Sequence, residues 1–305
     1  MDKSHSLPIG KSTINIGIVL VLLNALASGS IPTFAKHAFE GFGPFTLLCI
    51  RFGAAALVLV PFVPVKQLTI QNWRLVLIPA LLAALNPILF FIALENIPAS
   101  VIPLFYALTP AIVAGYFFIT KVQILSSKSF MGISVGFLGV MIVSFSTQIN
   151  FEGTKIWSIL LMFTAVFVFA AYTIKSQGLA DSLKISPITI AIFICLTTLV
   201  LAIPFSFLEI QKSTSITNPT TTMVLSALAV GFLCTGAQQF LTQKSIQLVD
   251  ATVASIFTYI QPIIGISLAV VFLSESLPLL TLLSGVLVLS GTYLVQLDQK
   301  NTQET

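Results

Sequence analysis

Charge is scarce in this chain. The 14 Lys+Arg and 10 Asp+Glu make up 8% of 305 residues, whereas a soluble domain carries about 25%. No compact fold could cover the remaining apolar surface with so few charges, so part of the solvent is lipid. Soluble enzymes, nucleic-acid binders and disordered chains are excluded together, and a net charge of +4 is too small for an electrostatic nucleic-acid footprint. Cysteine and histidine are equally sparse, at 3 and 2 residues. Cys49, Cys195 and Cys234 each sit in an apolar run without a Cys or His at ligand spacing, so neither a disulfide framework nor a metal or other cofactor is expected. His5 lies in the N-terminal tail and His37 near a loop. The G-x-S-x-G pattern at Gly132–Gly136 therefore lacks a base, and it also lacks the strand–turn–helix setting that motif needs. No catalytic residue and no enzyme activity are expected.

What the chain does have is apolar length. Hydrophobic residues make up 56%, and the mean hydropathy is +1.04. A bilayer core about 30 Å thick takes roughly 20 residues of helix. Ten segments qualify: 14–35, 44–64, 74–94, 99–120, 129–147, 157–175, 186–208, 222–243, 250–273 and 279–297. They are too long for strands and apolar on most faces, which predicts an all-α membrane protein of ten transmembrane helices. The first segment, with Lys11 ahead of it, imitates a signal peptide. Its apolar run continues through Ile31 and Phe34, so an uncleaved helix is expected.

Orientation follows from basic residues in short loops. With the N-terminus cytoplasmic, Lys3, Lys11, Lys66, Arg74, Lys121, Lys128, Lys175, Lys184, Lys244 and Lys300 fall inside, while Lys36, Lys155 and Lys212 fall outside. Both termini are expected in the cytoplasm.

The halves repeat. Ala93–Pro110 aligns with Ser245–Pro262 at an offset of 152, matching Ala99/Ala251, Val101/Val253, Phe105/Phe257 and Pro110/Pro262. Pro44/Pro187 and Pro61-Phe62/Pro204-Phe205 match at an offset of 143. The expected units are 1–148 and 149–305, five spans each. An odd number of spans inverts the second unit relative to the first. Inverted repeats place a binding site near the midplane between the halves and support alternating access.

With this organisation the chain resembles the EamA family of the drug/metabolite transporter superfamily, over about Ile14–Leu297. The resemblance rests on Ser28-Gly29-Ser30 to Lys36, on Pro44 and Arg51-Phe52, and on Ala99–Pro110 and Ala251–Pro262. Leu273-Ser274-Glu275 and Gly285…Gly291 complete it. Ser28 stands where that family usually has Trp, and Lys121-Val122-Gln123 where it often has a Gly-Glu pair. The resemblance implies a carrier of amino acids or other small metabolites, often outward, in a bacterial-type inner membrane.

Polar side chains at membrane depth usually face a cavity or a neighbouring helix. Asn24, Asn86, Tyr106, Thr109, Tyr172, Gln238, Thr258, Tyr259 and Gln261 are the candidate substrate-binding residues. Tyr106/Thr258, Thr109/Gln261 and Asn86/Gln238 are equivalent at the offset of 152, as a shared pocket requires. The competing reading is interhelical hydrogen bonding alone. Amides and hydroxyls beside aromatic walls suit a zwitterionic or neutral amphiphile. Pro110 and Pro262, at equivalent points, are candidate kinks or hinges. Arg51 is expected to pack and snorkel outward, with a substrate carboxylate or a carbonyl partner as the alternatives. Gly132, Gly136, Gly139, Gly285 and Gly291 permit close backbone approach, either to each other's helix or to another molecule. No carboxylate lies mid-span, which argues against a proton-exchanging carrier of cationic drugs. The expectation is a secondary transporter whose partners are a small-molecule substrate and the lipid bilayer, without nucleic acid, as a monomer. The rivals are a non-transporting membrane protein, a lipid scramblase and an intramembrane enzyme.

Overall fold

Proline, glycine and the scarcity of mid-span charge dictate where these helices start, bend and touch. The computed structural model describes residues 11–120, 127–146, 153–176, 179–212, 219–238, 241 and 251–303, and the side chains of 251–259 are among those outside the description. No strand occurs among the described residues. Among the described residues six helices are long and apolar enough to cross a membrane: Val19–Ala38, Pro44–Phe62, Leu77–Leu94, Ile102–Ile119, Ile156–Ser176 and Pro187–Gln211. Four shorter apolar helices, Phe130–Val143, Thr221–Ala237, Ile260–Leu273 and Leu279–Leu294, stand where the remaining spans are expected. Large apolar side chains face outward without cover, with Leu57 70%, Val271 71% and Phe272 71% exposed. Only lipid tolerates that surface, and the protein is an integral membrane protein.

The first span is α1 (Lys11–Gly29) and α2 (Ile31–Ala38), interrupted at Ser30 with Pro32 in the first turn of α2. Next come α3 (Pro44–Leu59), the short α4 (Ile70–Leu75) and α5 (Leu77–Leu94), which carries Pro87 inside it. The fourth span is split into α6 (Ile102–Tyr106) and α7 (Thr109–Ile119), and Pro110 occupies the first turn of α7. A proline there forgoes an amide that no carbonyl would have met. Then follow α8 (Ser127–Ser146), α9 (Gly153–Ser176), α10 (Leu179–Leu183) and α11 (Pro187–Lys212). After them, α12 (Thr221–Gly231) runs into a π-helical segment, Phe232–Ala237. Last are α13 (Ala251–Leu273), continuous through Pro262, and α14 (Leu279–Gln303).

Helix pairing follows a simple rule. α3 lies along α11 and α8 along α14, while α5 packs on α9 and α1 on α13. Two of these pairs are demonstrably antiparallel. Thr46, at the start of α3, meets Glu209 near the end of α11, whereas Gln67, beyond α3, meets Ser186 and Thr189 at the start of α11. The Gln67–Ser186 bond also puts Lys66 and Lys184 at one end of the bundle. In the other pair, a Cβ on Gly291 would stand 2.5 Å from the Gly132 carbonyl and the Gly136 nitrogen. A Cβ on Gly139 would stand 2.9 Å from the Ser284 carbonyl. Without a hydrophobic driving force between helices in lipid, such backbone proximity supplies the dispersion contacts. Gly139 and Gly291 therefore serve the contact between α8 and α14, whereas the Cβ positions of Gly136 and Gly285 face Leu108 and Leu104.

Candidate functional site

Breaks in regular backbone converge on one region. Ser30, at the break between α1 and α2, is 3.2 Å from Cys234 Sγ in the π segment. The extra residue of that segment lets the Thr235 hydroxyl reach back five residues to the Val230 carbonyl at 2.8 Å. Thr235 Oγ1 in turn accepts from Arg51 Nε at 2.9 Å. Gly231 makes this reach possible, since a Cβ there would lie 2.5 Å from Ala54 Cβ and 3.0 Å from the Arg51 carbonyl. Irregular backbone at membrane depth is tolerated where it is buried in protein or lines a cavity, and π segments concentrate at functional sites.

Arg51 is buried, with 9% of its surface exposed, so it does not snorkel. Its guanidinium carbon lies 5.1 Å from the Phe52 ring centroid and 5.3 Å from that of Phe91. The ionisable groups facing it are Cys234, Tyr106 and Cys195. Among the described residues it has no carboxylate within ion-pair distance. Outward snorkelling fails for a geometric reason: α12 lies against the backbone of α3 at this level and closes the lateral route.

Asn86 and Tyr106 form the other half of the region. Asn86 Nδ2 donates to the Tyr106 hydroxyl at 2.7 Å and to the Ala165 carbonyl at 2.9 Å, tying α5, α6 and α9 together. Pro87 follows Asn86 directly inside α5. The Tyr106 ring packs edge-on to Phe90 at 6.0 Å and to Phe169 at 5.5 Å, and Phe169 packs on Tyr172 at 6.1 Å. Thr109 is satisfied locally, its hydroxyl donating to the Tyr106 carbonyl at 2.7 Å. Asn24 is buried in α1 with its Oδ1 unpartnered, an acceptor with unused capacity. Gln238 is half-buried at the end of the π segment, and Gln261 is half-buried in α13, where its carbonyl is 2.9 Å from the Cβ position of Gly29. The side chains of Thr258 and Tyr259 lie outside the described residues. The structure thus joins Asn86, Tyr106 and Thr109 in one group, with Tyr172 reached through Phe169.

One end of the bundle is tied across its helices by side-chain-to-backbone bonds. Glu209 accepts from the Phe45 amide at 3.4 Å, the Thr46 amide at 2.8 Å and the Thr46 hydroxyl at 2.7 Å. A carboxylate at a helix N-terminus meets free N–H groups and the positive end of the dipole. Gly43 makes room for it, because a Cβ there would fall 2.2 Å from Glu209 Cδ. Glu275 accepts from the Ala99 and Ser100 amides ahead of α6 at 2.7 and 2.9 Å. It is turned toward them by Ser274, which adopts the left-handed conformation at φ 53° after α13. Lys36 donates to the Leu94 and Glu95 carbonyls at 2.6 and 2.9 Å, capping α5. At the opposite end the equivalent tie is neutral: Gln67 Oε1 accepts from the Ser186 amide and the Thr189 hydroxyl at 2.8 and 2.9 Å. None of these ties was predicted, although Thr46 and Thr189 are equivalent at the offset of 143 that pairs Pro44 with Pro187.

A cavity of about 300 Å3 lies elsewhere, between α3, α4 and α11, lined by residues that include Ala56, Val60, Trp73, Phe193 and Leu196. Its wall is almost wholly apolar and none of the candidate residues lines it, so it is a lateral apolar pocket apart from them.

The family model of the EamA-like transporter family matches residues 15–145 and again residues 156–297. The chain belongs to the EamA-like transporter family. No curated protein matches this EamA-like chain. A protein of solved crystal structure superposes on it with a TM-score of 0.65, covering 94% of this chain and 98% of its own at 16% identity, a likeness of fold alone.

Proposed function

We propose that this EamA-like protein is a secondary transporter of ten spans. Its two five-helix repeats, 1–148 and 149–305, lie antiparallel and open alternately to the two sides of a bacterial inner membrane, with both termini cytoplasmic. The substrate is a small organic metabolite, an amino acid or similar amphiphile, moved outward. What carries this reading is the antiparallel contact of repeat counterparts: α3 against α11 and α8 against α14, helices of equal rank in the two family matches. A twofold axis in the membrane plane produces that pairing, and it also exchanges an outside-closed for an inside-closed arrangement.

The two ends support the same cycle. Glu209 and Glu275 of the second repeat hold helix N-termini of the first, and Gln67 of the first holds a helix N-terminus of the second. Opening either side breaks contacts between repeats and leaves each repeat's interior intact. Substrate would sit between Asn86, Tyr106 and Thr109 of one repeat and Tyr172, Gln238, Thr258, Tyr259 and Gln261 of the other, with Asn24 at the seam.

Purified protein in liposomes, loaded for counterflow with a panel of amino acids and nucleobases, tests the proposal. Saturable exchange of at least one solute is expected. Inactivity across the panel together with lipid flip-flop would replace the transporter by a scramblase.

A further inference from the structure

Among the described residues, the buried cation at Arg51 has no anion within ion-pair distance. The chain's ten acidic residues, Asp2, Glu40, Glu95, Glu152, Asp181, Glu209, Asp250, Glu275, Asp298 and Glu304, all lie in tails, loops or helix ends. Among the described residues the guanidinium contacts one hydroxyl and two phenyl rings. A guanidinium carries five N–H donors. Thr235 takes one, and the Nη groups have no protein acceptor among the described residues. Burying a charge is costly unless a counter-charge or a full set of acceptors answers it. A structural arginine would be given a carbonyl fork or a carboxylate. This one is braced on both flanks, with its bidentate edge left for something else.

Tyr106 stands next to the same aromatic wall, its ring edge-on to Phe90, which packs on the Phe91 that flanks Arg51. The Tyr106 hydroxyl accepts from Asn86, so its own hydrogen remains to be donated. Arg51 and Tyr106 both present donors from the first repeat, Arg51 braced by Thr235 of the second repeat and Tyr106 by Asn86 of the first. Around them stand Phe52, Phe90, Phe91 and Phe169. No described carboxylate faces them to receive an ammonium group.

We infer that Arg51, with Tyr106, binds the carboxylate of a monocarboxylic substrate whose apolar or aromatic body packs on the surrounding phenyl rings, and that the site reads the acid and not the amine. This rests on the transporter reading and narrows its substrate class. A 2-oxo acid is accepted as well as the matching amino acid, while the amide of that amino acid is rejected. A planar guanidinium meets a carboxylate through two parallel bonds, a geometry that lysine cannot reproduce.

The test is counterflow in liposomes holding the full-length protein, with phenylalanine, phenylpyruvate, phenylalaninamide and phenethylamine as competitors against any solute the panel shows to be carried. This arm needs no variant. Phenylalanine and phenylpyruvate should compete, and the two cations should be weaker by roughly tenfold or more, the worth of a charge-assisted hydrogen bond. Arg51→Lys should lower phenylpyruvate affinity by a similar factor while leaving the melting temperature within a few degrees, and Arg51→Gln should lower it further. Equal competition by phenylalaninamide and phenylalanine, or unaltered phenylpyruvate affinity in a folded Arg51→Lys protein, overturns the inference and leaves the transporter intact. Absence of any transported solute removes the transporter reading and this inference with it.

Discussion

Replacing Glu275 by Gln removes one charge from the closed end and keeps the side chain's shape. Glu275 accepts two backbone N–H groups, from Ala99 and Ser100. Hydrogen bonds to a charged acceptor contribute about 1.5–3 kcal/mol each, and neutral ones about 0.5–1.5. Glutamine keeps a single acceptor oxygen, so one N–H loses its partner and the other keeps a weaker one. Glu275 is half-buried, and solvent screening reduces the difference. A net loss of about 1–2 kcal/mol follows, which shifts the ratio of closed to open by roughly 5–30-fold. The readout should be remote from the substitution. Amide hydrogen exchange at Phe45 and Thr46, held by Glu209 and sharing no hydrogen bond with Glu275, reports whether the end opens as a unit. In Glu275→Gln their exchange should accelerate by that factor, and the Ser186 amide, held by Gln67 at the other end, should exchange no faster. Acceleration at 99–100 with no change at 45–46 would show two independent caps, and the gate built from them would have to be abandoned.

Three further outcomes follow from the same geometry. Gly291→Ala puts a methyl 2.5 Å from the α8 backbone, which must shift. The cost is about 1–3 kcal/mol of packing, read as a lowered melting temperature in detergent, and an unchanged melt would contradict the contact. Asn86→Ala strips Tyr106 and the Ala165 carbonyl of their shared donor, so transport should fall by roughly fivefold or more at normal expression, as it should in Gln261→Ala. Glu95, just past the C-terminal end of α5, has its pKa raised above the ordinary 4.5 by partial burial, with a smaller push from the Glu209 charge that Lys36 opposes. A raised carboxylate pKa means that the folded form binds the proton more tightly. Stability from this group is therefore complete below 4.5 and is lost as pH climbs through the raised value. Melting temperatures scanned across that window should fall with rising pH in wild type and stay flatter in Glu95→Gln.

One polar pairing was legible by residue type. Asn86 and Tyr106 stood out because amides and phenols are rare at membrane depth, and the structure bonds them to each other. Arg51 was visible and misjudged, since snorkelling depends on a free lateral path and α12 occupies it through Gly231. Thr235 and Cys234 gave no signal, because a hydroxyl or thiol in an apolar run is ordinary until a π turn re-aims it. Nothing in the sequence pointed to the ties that Glu209 and Glu275 make. Their partners are backbone amides on other helices, and backbone amides have no sequence signature.

Composition and periodicity were enough to establish a membrane-embedded helical chain and its internal repetition, because hydrophobic length and residue offsets are local quantities carried along one dimension. The pairing of α3 with α11, the braced cation between two phenyl rings, and the contrast between a charged tie at one end and a neutral tie at the other came only from the folded molecule. Each depends on which helix surfaces meet across distances of more than a hundred residues, and glycine contacts and breaks in the helical backbone set those meetings.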